Sequence, residues 1–125
     1  MNNRGNYSFL PIPLLELAYW GSGEAAWATS EALAVVEACQ SNKVAIIGAE
    51  VWLPTQPGPT IPSPSIYSWQ CTDRILGEHW ISYINRSSLE AREFISDFRW
   101  SDKDQNRYKL PPYFNLTFLQ ELNLQ

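Results

Sequence analysis

Apolar residues recur at three- and four-residue steps from Ala25 through Ala28, Ala32, Val35 and Val36 to Cys39, in a stretch without Gly or Pro. That spacing predicts one long Ala-rich helix over 24–40. Gly21-Ser22-Gly23 reads as its lead-in, with Ser22 as a capping side chain and Glu24 complementing the positive end of the helix dipole. Ser41-Asn42-Lys43 then stops the helix, and the run from Val44 to Leu53 is too apolar and β-branched for anything but a central strand. Gly48 interrupts this strand. A glycine there marks a bulge or a close backbone approach, either of which turns Glu50 away from the core.

Pro54, Pro57, Pro59, Pro62 and Pro64 cannot support a hydrogen-bond ladder, so they predict an extended surface loop. The loop joins the central strand to a second one over 66–71, as a long-looped hairpin. Trp80, Ile81 and Ile84 fit a short helical turn. Ser87-Ser88-Leu89-Glu90 has the spacing of a capping box and predicts a new helix over about 88–99, with Leu89, Ala91, Phe94, Ile95 and Phe98 on its apolar side. Residues 101–109 are polar, and the aromatic and β-branched alternation over 113–118 predicts a last strand. Near the start, Pro11, Pro13, Gly21 and Gly23 restrict Leu14 to Trp20 to a short strand or one turn of helix.

Strands and helices that do not alternate strictly as βαβ point to an α+β fold with a small, mainly antiparallel sheet. The helix preceding the central strand leaves a mixed sheet open. The 125 residues suit a single domain spanning 1–125 whose core suffices without a disulfide or metal staple. With no secretory signal in view, the chain reads as cytoplasmic and Cys39 and Cys71 as reduced core thiols. No apolar run approaches the ~20 residues of a bilayer crossing.

A formal charge of −4 and nine scattered basic residues argue against direct nucleic-acid binding. A basic protein partner fits that charge better. Six tryptophans suit both core and interface, and one or two exposed ones are expected as binding anchors. No cofactor motif is present, since Gly21-Ser22-Gly23-Glu24 lacks both the dinucleotide spacing and the P-loop lysine. One histidine and two isolated cysteines make no familiar metal site, and Asp102-Lys103-Asp104 lacks the Gly and distal Glu of a calcium loop. The single imidazole, His79, stands beside Glu78 and eight residues after Cys71, which leaves a small hydrolase or transferase as the second reading. A structural oligomerisation domain is the third.

Ala25-Ala26-Trp27 in a first helix, Val44 to Trp52 as a strand, Tyr67-Ser68-Trp69-Gln70-Cys71, and Gly77-Glu78-His79-Trp80 leading to Ser87 and Glu90 together resemble a small α+β family of bacterial immunity proteins from polymorphic-toxin systems. The resemblance spans about 24–99. Within it Gly48, Glu50 and Trp52 match the family's glycine, acidic and aromatic positions, while Ala49 stands where a second glycine would be. The resemblance implies a non-enzymatic protein, monomer or homodimer, that blocks the active site of a cognate toxin domain, a nuclease being one class with a suitably basic cleft. Glu50, Trp69, Asp73 and Glu78 are the candidate partner contacts, because they bracket the strand ends and the Pro-rich loop.

Overall fold

The Ala-rich segment divides between two elements. A computed structural model of the protein describes residues 7–55, 58–62 and 66–121. In it, α1 (Ile12–Leu17) precedes a hairpin of β1 (Tyr19–Gly21) and β2 (Glu24–Ala28), and only then does α2 (Thr29–Ser41) begin. The helix expected over 24–40 therefore starts five residues late. Ser22 and Gly23 both adopt positive φ, 53° and 79°, which turns the chain tightly so that Gly21 pairs with Glu24. A two-residue turn with two left-handed positions matches the twist of a β-hairpin. The glycine pair thus closes a hairpin instead of leading into a helix.

The sheet continues through β3 (Val44–Trp52), β4 (Ser68–Gln70) and β5 (Tyr113–Gln120) in the order β1-β2-β5-β3-β4. Every adjacent pair is antiparallel, which settles the α+β class and closes the mixed alternative. β3 lies between β5 and β4 as expected of a central strand, and β3 and β4 form the long-looped hairpin. Pro57 and Pro64 of its loop lie outside the described residues. Asn42 caps α2, its backbone amide reaching the carbonyls of Ala38 and Cys39, and Lys43 turns into β3 at φ 60°.

After β4, α3 runs unbroken from Trp80 to Asp97. The capping box expected at Ser87 does not exist, because Ser87 is two turns inside the helix and fully buried. Its hydroxyl donates to the Ile84 carbonyl at 3.1 Å and accepts from the Ile46 amide of β3 at 3.3 Å. The amides a cap would serve already have partners in the preceding turns. Short α4 (Asp102–Gln105) is capped by Ser101, whose side chain accepts from the Asp104 amide.

The helices cover one face of the sheet. Ala32, Val35, Val36 and Cys39 of α2 and Ala91 and Ile95 of α3 pack with Ala25, Trp27, Val44, Ile46, Ala49, Val51, Phe114 and Leu116 from the strands. A smaller apolar cluster joins Ala45 and Cys71 to Trp80, Tyr83 and Ile84 at the start of α3. Cys39 and Cys71 are both buried free thiols and belong to different clusters.

Candidate functional site

Side chains alternate along a strand, so one inserted residue moves everything beyond it to the opposite face. In β3 the pairing with β5 shifts between Ile46 and Gly48. Val44 and Ile46 before the shift, and Ala49 and Val51 after it, all enter the core beneath the helices. Strict alternation from Ile46 would have sent Glu50 into that core. The bulge puts it on the uncovered face, as expected from Gly48. The same glycine lies where a Cβ would come within 3.3 Å of the Trp69 carbonyl, so the close approach is present as well. Ala49 faces the core, where its methyl group is buried.

On the uncovered face, Glu24, Glu50, Ser68, Gln70, Asn115 and Thr117 line a shallow groove of about 390 Å³. The Glu50 carboxylate accepts from Trp52 Nε1 at 3.3 Å, which orients it along the strand. Asn115 is buried, and its amide donates to the Ala25 carbonyl at 2.8 Å. That bond ties β5 to β2 just beyond their two paired positions, Trp27–Phe114 and Ala28–Tyr113. At the other end of this face, the Pro-rich loop folds back through a Leu53–Thr60 bridge. There Gly21 leaves room for Trp52, Ile61 and Tyr19, and Gly58 sits so close to the Tyr19 ring that a Cβ would meet it at 2.9 Å. The loop thus caps one half of the face and leaves the polar half open.

Of the four candidate contacts, Glu50 and Trp69 line this groove. Trp69, on the neighbouring strand, is half-buried and stacks at 24° on Phe94 of α3, with ring centroids 6.3 Å apart. Its ring supports the helix side. Asp73 and Glu78 lie apart from the groove, in the loop that carries the chain from β4 to α3. Asp73 is exposed, whereas Glu78 accepts from Arg86 Nη2 at 2.9 Å, Arg86 Nε at 3.1 Å and the Ile75 amide at 3.0 Å. The Arg86 hydrogen bonds, followed by that amide, hold its carboxyl down at about 2.

The hydrolase reading gains no support from this geometry. Cys71 Sγ stands 3.6 Å from Arg86 Nη1, and burial first, then the nearby Glu90 charge, pushes its thiol pKa up, opposite to what a nucleophile needs. Glu78 is engaged by the same guanidinium, and His79 is an exposed residue whose backbone begins α3. Among the described residues no group of three or more His, Cys, Asp and Glu could hold a metal ion, and no helix is long and apolar enough to cross a membrane.

The model of one protein family, Immunity protein 40, matches residues 16–113. The chain belongs to that family. No curated protein and no solved structure matches it. The match begins within α1 and ends at the first residue of β5, so it contains Glu24, Glu50, Ser68 and Gln70 of the groove and the whole β4–α3 loop. Ala25-Ala26-Trp27, one of the patterns that resembled immunity proteins, sits on β2 and not on a helix.

In this immunity protein the tryptophans do not provide the expected exposed anchors. Trp27, Trp52 and Trp80 are buried, while Trp20, Trp69 and Trp100 are half-buried. Among the described residues the exposed large apolar side chains are aliphatic apart from Tyr19, with Leu76 fully exposed and Ile75 at 63%. Sequence reasoning passed over both of these, and also Glu24, which it assigned to a helix start. The signal for the first pair was available in Ile75-Leu76-Gly77, an apolar pair followed by glycine within a polar stretch.

Proposed function

We propose that this protein neutralises a cognate toxin domain by binding it directly, without catalysis, and that the open half of its sheet is the surface that meets the toxin. The observation carrying this reading is the placement of Glu24 and Glu50 together on a sheet face that the helices leave bare. Two carboxylates beside the Ser68 and Gln70 side chains suit a Lys or Arg side chain of the partner. A nuclease offers such residues in its substrate cleft, and covering them would close its active site. The overall charge of −4 accelerates encounter with a basic partner. Asp73 adds to this field from the neighbouring loop, while Trp69 and Glu78 act from beneath, holding β4 and the loop in place. A cytoplasmic location, in the cell that makes the toxin, follows from this role.

The test is co-expression with the C-terminal domain of the secreted polypeptide encoded immediately upstream, scored by growth rescue and by co-purification. The expected result is a stoichiometric complex with rescue, weakened about tenfold or more when Glu24 and Glu50 are both replaced by Lys. If the wild-type protein neither binds nor rescues, the reading is overturned.

A further inference from the structure

The β4–α3 loop is built to hold an apolar tip in water. Residues 75–78 form a tight turn in which the Glu78 amide donates to the Ile75 carbonyl at 2.8 Å, with Gly77 at φ 87° in the position that requires glycine. Leu76 occupies the apex, fully exposed, with Ile75 beside it. Nothing in the turn itself calls for a leucine there.

Arg86 of α3 braces this turn from below. Its guanidinium donates to the Glu78 carboxylate, to Thr72 Oγ1 at 2.7 Å and to the Asp73 carbonyl at 3.2 Å. Arg74 donates from Nε to the Glu78 carbonyl at 2.9 Å, and its guanidinium carbon sits 5.3 Å from the centre of the Trp80 ring. Arg74 and Glu78 are thereby paired within the loop and with α3, and the loop backbone is fixed before any partner arrives. A braced loop loses little conformational entropy on binding.

We infer that Leu76, supported by Ile75, is an apolar anchor that inserts into a hydrophobic pocket of the toxin domain, beside the contact made by the acidic groove. This inference rests on the binding function proposed above. Leu76 comes six residues after Gln70, the last residue of β4, so at most about 20 Å of chain separates it from Gln70, which lines the groove with Ser68, and one partner can span both. Two aliphatic side chains fall far short of the roughly 800 Å² per partner of a stable interface, which makes the tip one element of a larger contact and not a self-association face. Anchors of this kind slow dissociation.

The test measures association and dissociation rates of the same upstream-encoded toxin domain with wild type, Leu76→Ala, Leu76→Asp and the exposed control Leu89→Ala, at low and high salt. Leu76 makes no core contact, so all four proteins should fold alike by circular dichroism. The expected result is a dissociation rate raised about tenfold or more by Leu76→Asp and several-fold by Leu76→Ala, equally at both salt concentrations, with Leu89→Ala unchanged. Wild-type affinity in both Leu76 variants would overturn the anchor while leaving the groove contact standing. Loss of a dimer on Leu76→Asp, seen by light scattering, would overturn it too, because the tip would then meet a second copy. Absence of wild-type binding would overturn the function on which the anchor rests.

Discussion

The two faces of one sheet answer to different demands, and β5 shows both in consecutive residues. Phe114 and Leu116 are buried against the helices, while Asn115 and Thr117 between and after them line the open groove. On the helix side, size and shape decide what is allowed, because every side chain there has neighbours on all sides. On the open side, Thr117 is exposed and Glu50 only half-buried, so residue type is constrained by what meets the surface more than by folding. Stability and recognition are therefore separable on β5 by comparing Phe114 with Thr117, while Asn115, buried and bonded to the Ala25 carbonyl, serves the fold from the open side.

The largest effect tests the covered side. Phe114→Ala is expected to cost about 3–5 kcal/mol by urea denaturation, since Phe114 is fully buried and its ring packs edge-on against Phe94 and Phe98. Three residues along, Thr117→Ala should stay within about 0.5 kcal/mol. Equal losses at the two positions would erase the contrast between the faces. Next in size, Glu50→Lys is expected to weaken toxin binding about tenfold, more at low salt than at high, with the unfolding midpoint nearly unchanged. A large drop in stability would mean that Glu50 serves the fold.

A smaller effect of opposite sign belongs to α3. Among the described residues, Ser88 Oγ is buried without a hydrogen-bond partner. Ser88→Ala should raise stability by about 1 kcal/mol, measured by the same denaturation, because it removes an unsatisfied hydroxyl and improves helix propensity. The smallest effect concerns the loop beyond both faces. Glu78 has an ordinary carboxyl value of 4.5 and is held at about 2 in the folded protein. As pH falls from 4.5 to about 2, the unfolded chain takes up this proton first, so the stabilisation present above 4.5 is lost across that interval. The urea midpoint of wild type should fall more steeply there than that of Glu78→Gln, and parallel curves would refute the linkage.

How much of this was legible in the sequence depended on whether the deciding contact was local. Val44 to Trp52 read as a strand, and Gly48 as its bulge, because a β-branched run with one glycine carries that information within itself. Residues 24–28 did not read correctly. Ala25, Ala26 and Ala28 favour helix, and the strand is imposed from outside by pairing with β1 and β5 and by burial of Ala25 and Trp27. Ser87 and Glu90 have capping-box spacing, yet the helix had already begun at Trp80, and Ser87 is committed to the Ile46 amide, 41 positions away. At the site, Glu50 was readable as the lone charge between Lys43 and Asp73. Glu24 was not, since its neighbourhood with Glu50 exists only after β2, β5 and β3 have assembled. Nor was the inward role of Glu78, which is set by Arg86 from the following helix.

The hydroxyl of Ser87 has one more consequence. β3 is nine residues long and β4 only three, so the early part of β3 runs past the end of its neighbour. A bare strand edge of that kind invites another chain to add itself by backbone pairing, which is how sheets aggregate and swap segments. Here the Ile46 amide is taken by Ser87, the Ile47 carbonyl by the Cys71 amide and the Lys43 carbonyl by the Trp80 indole. Helix α3 thus occupies part of this edge with side chains where a further strand would have docked, which breaks the run of free backbone groups that such a strand would copy.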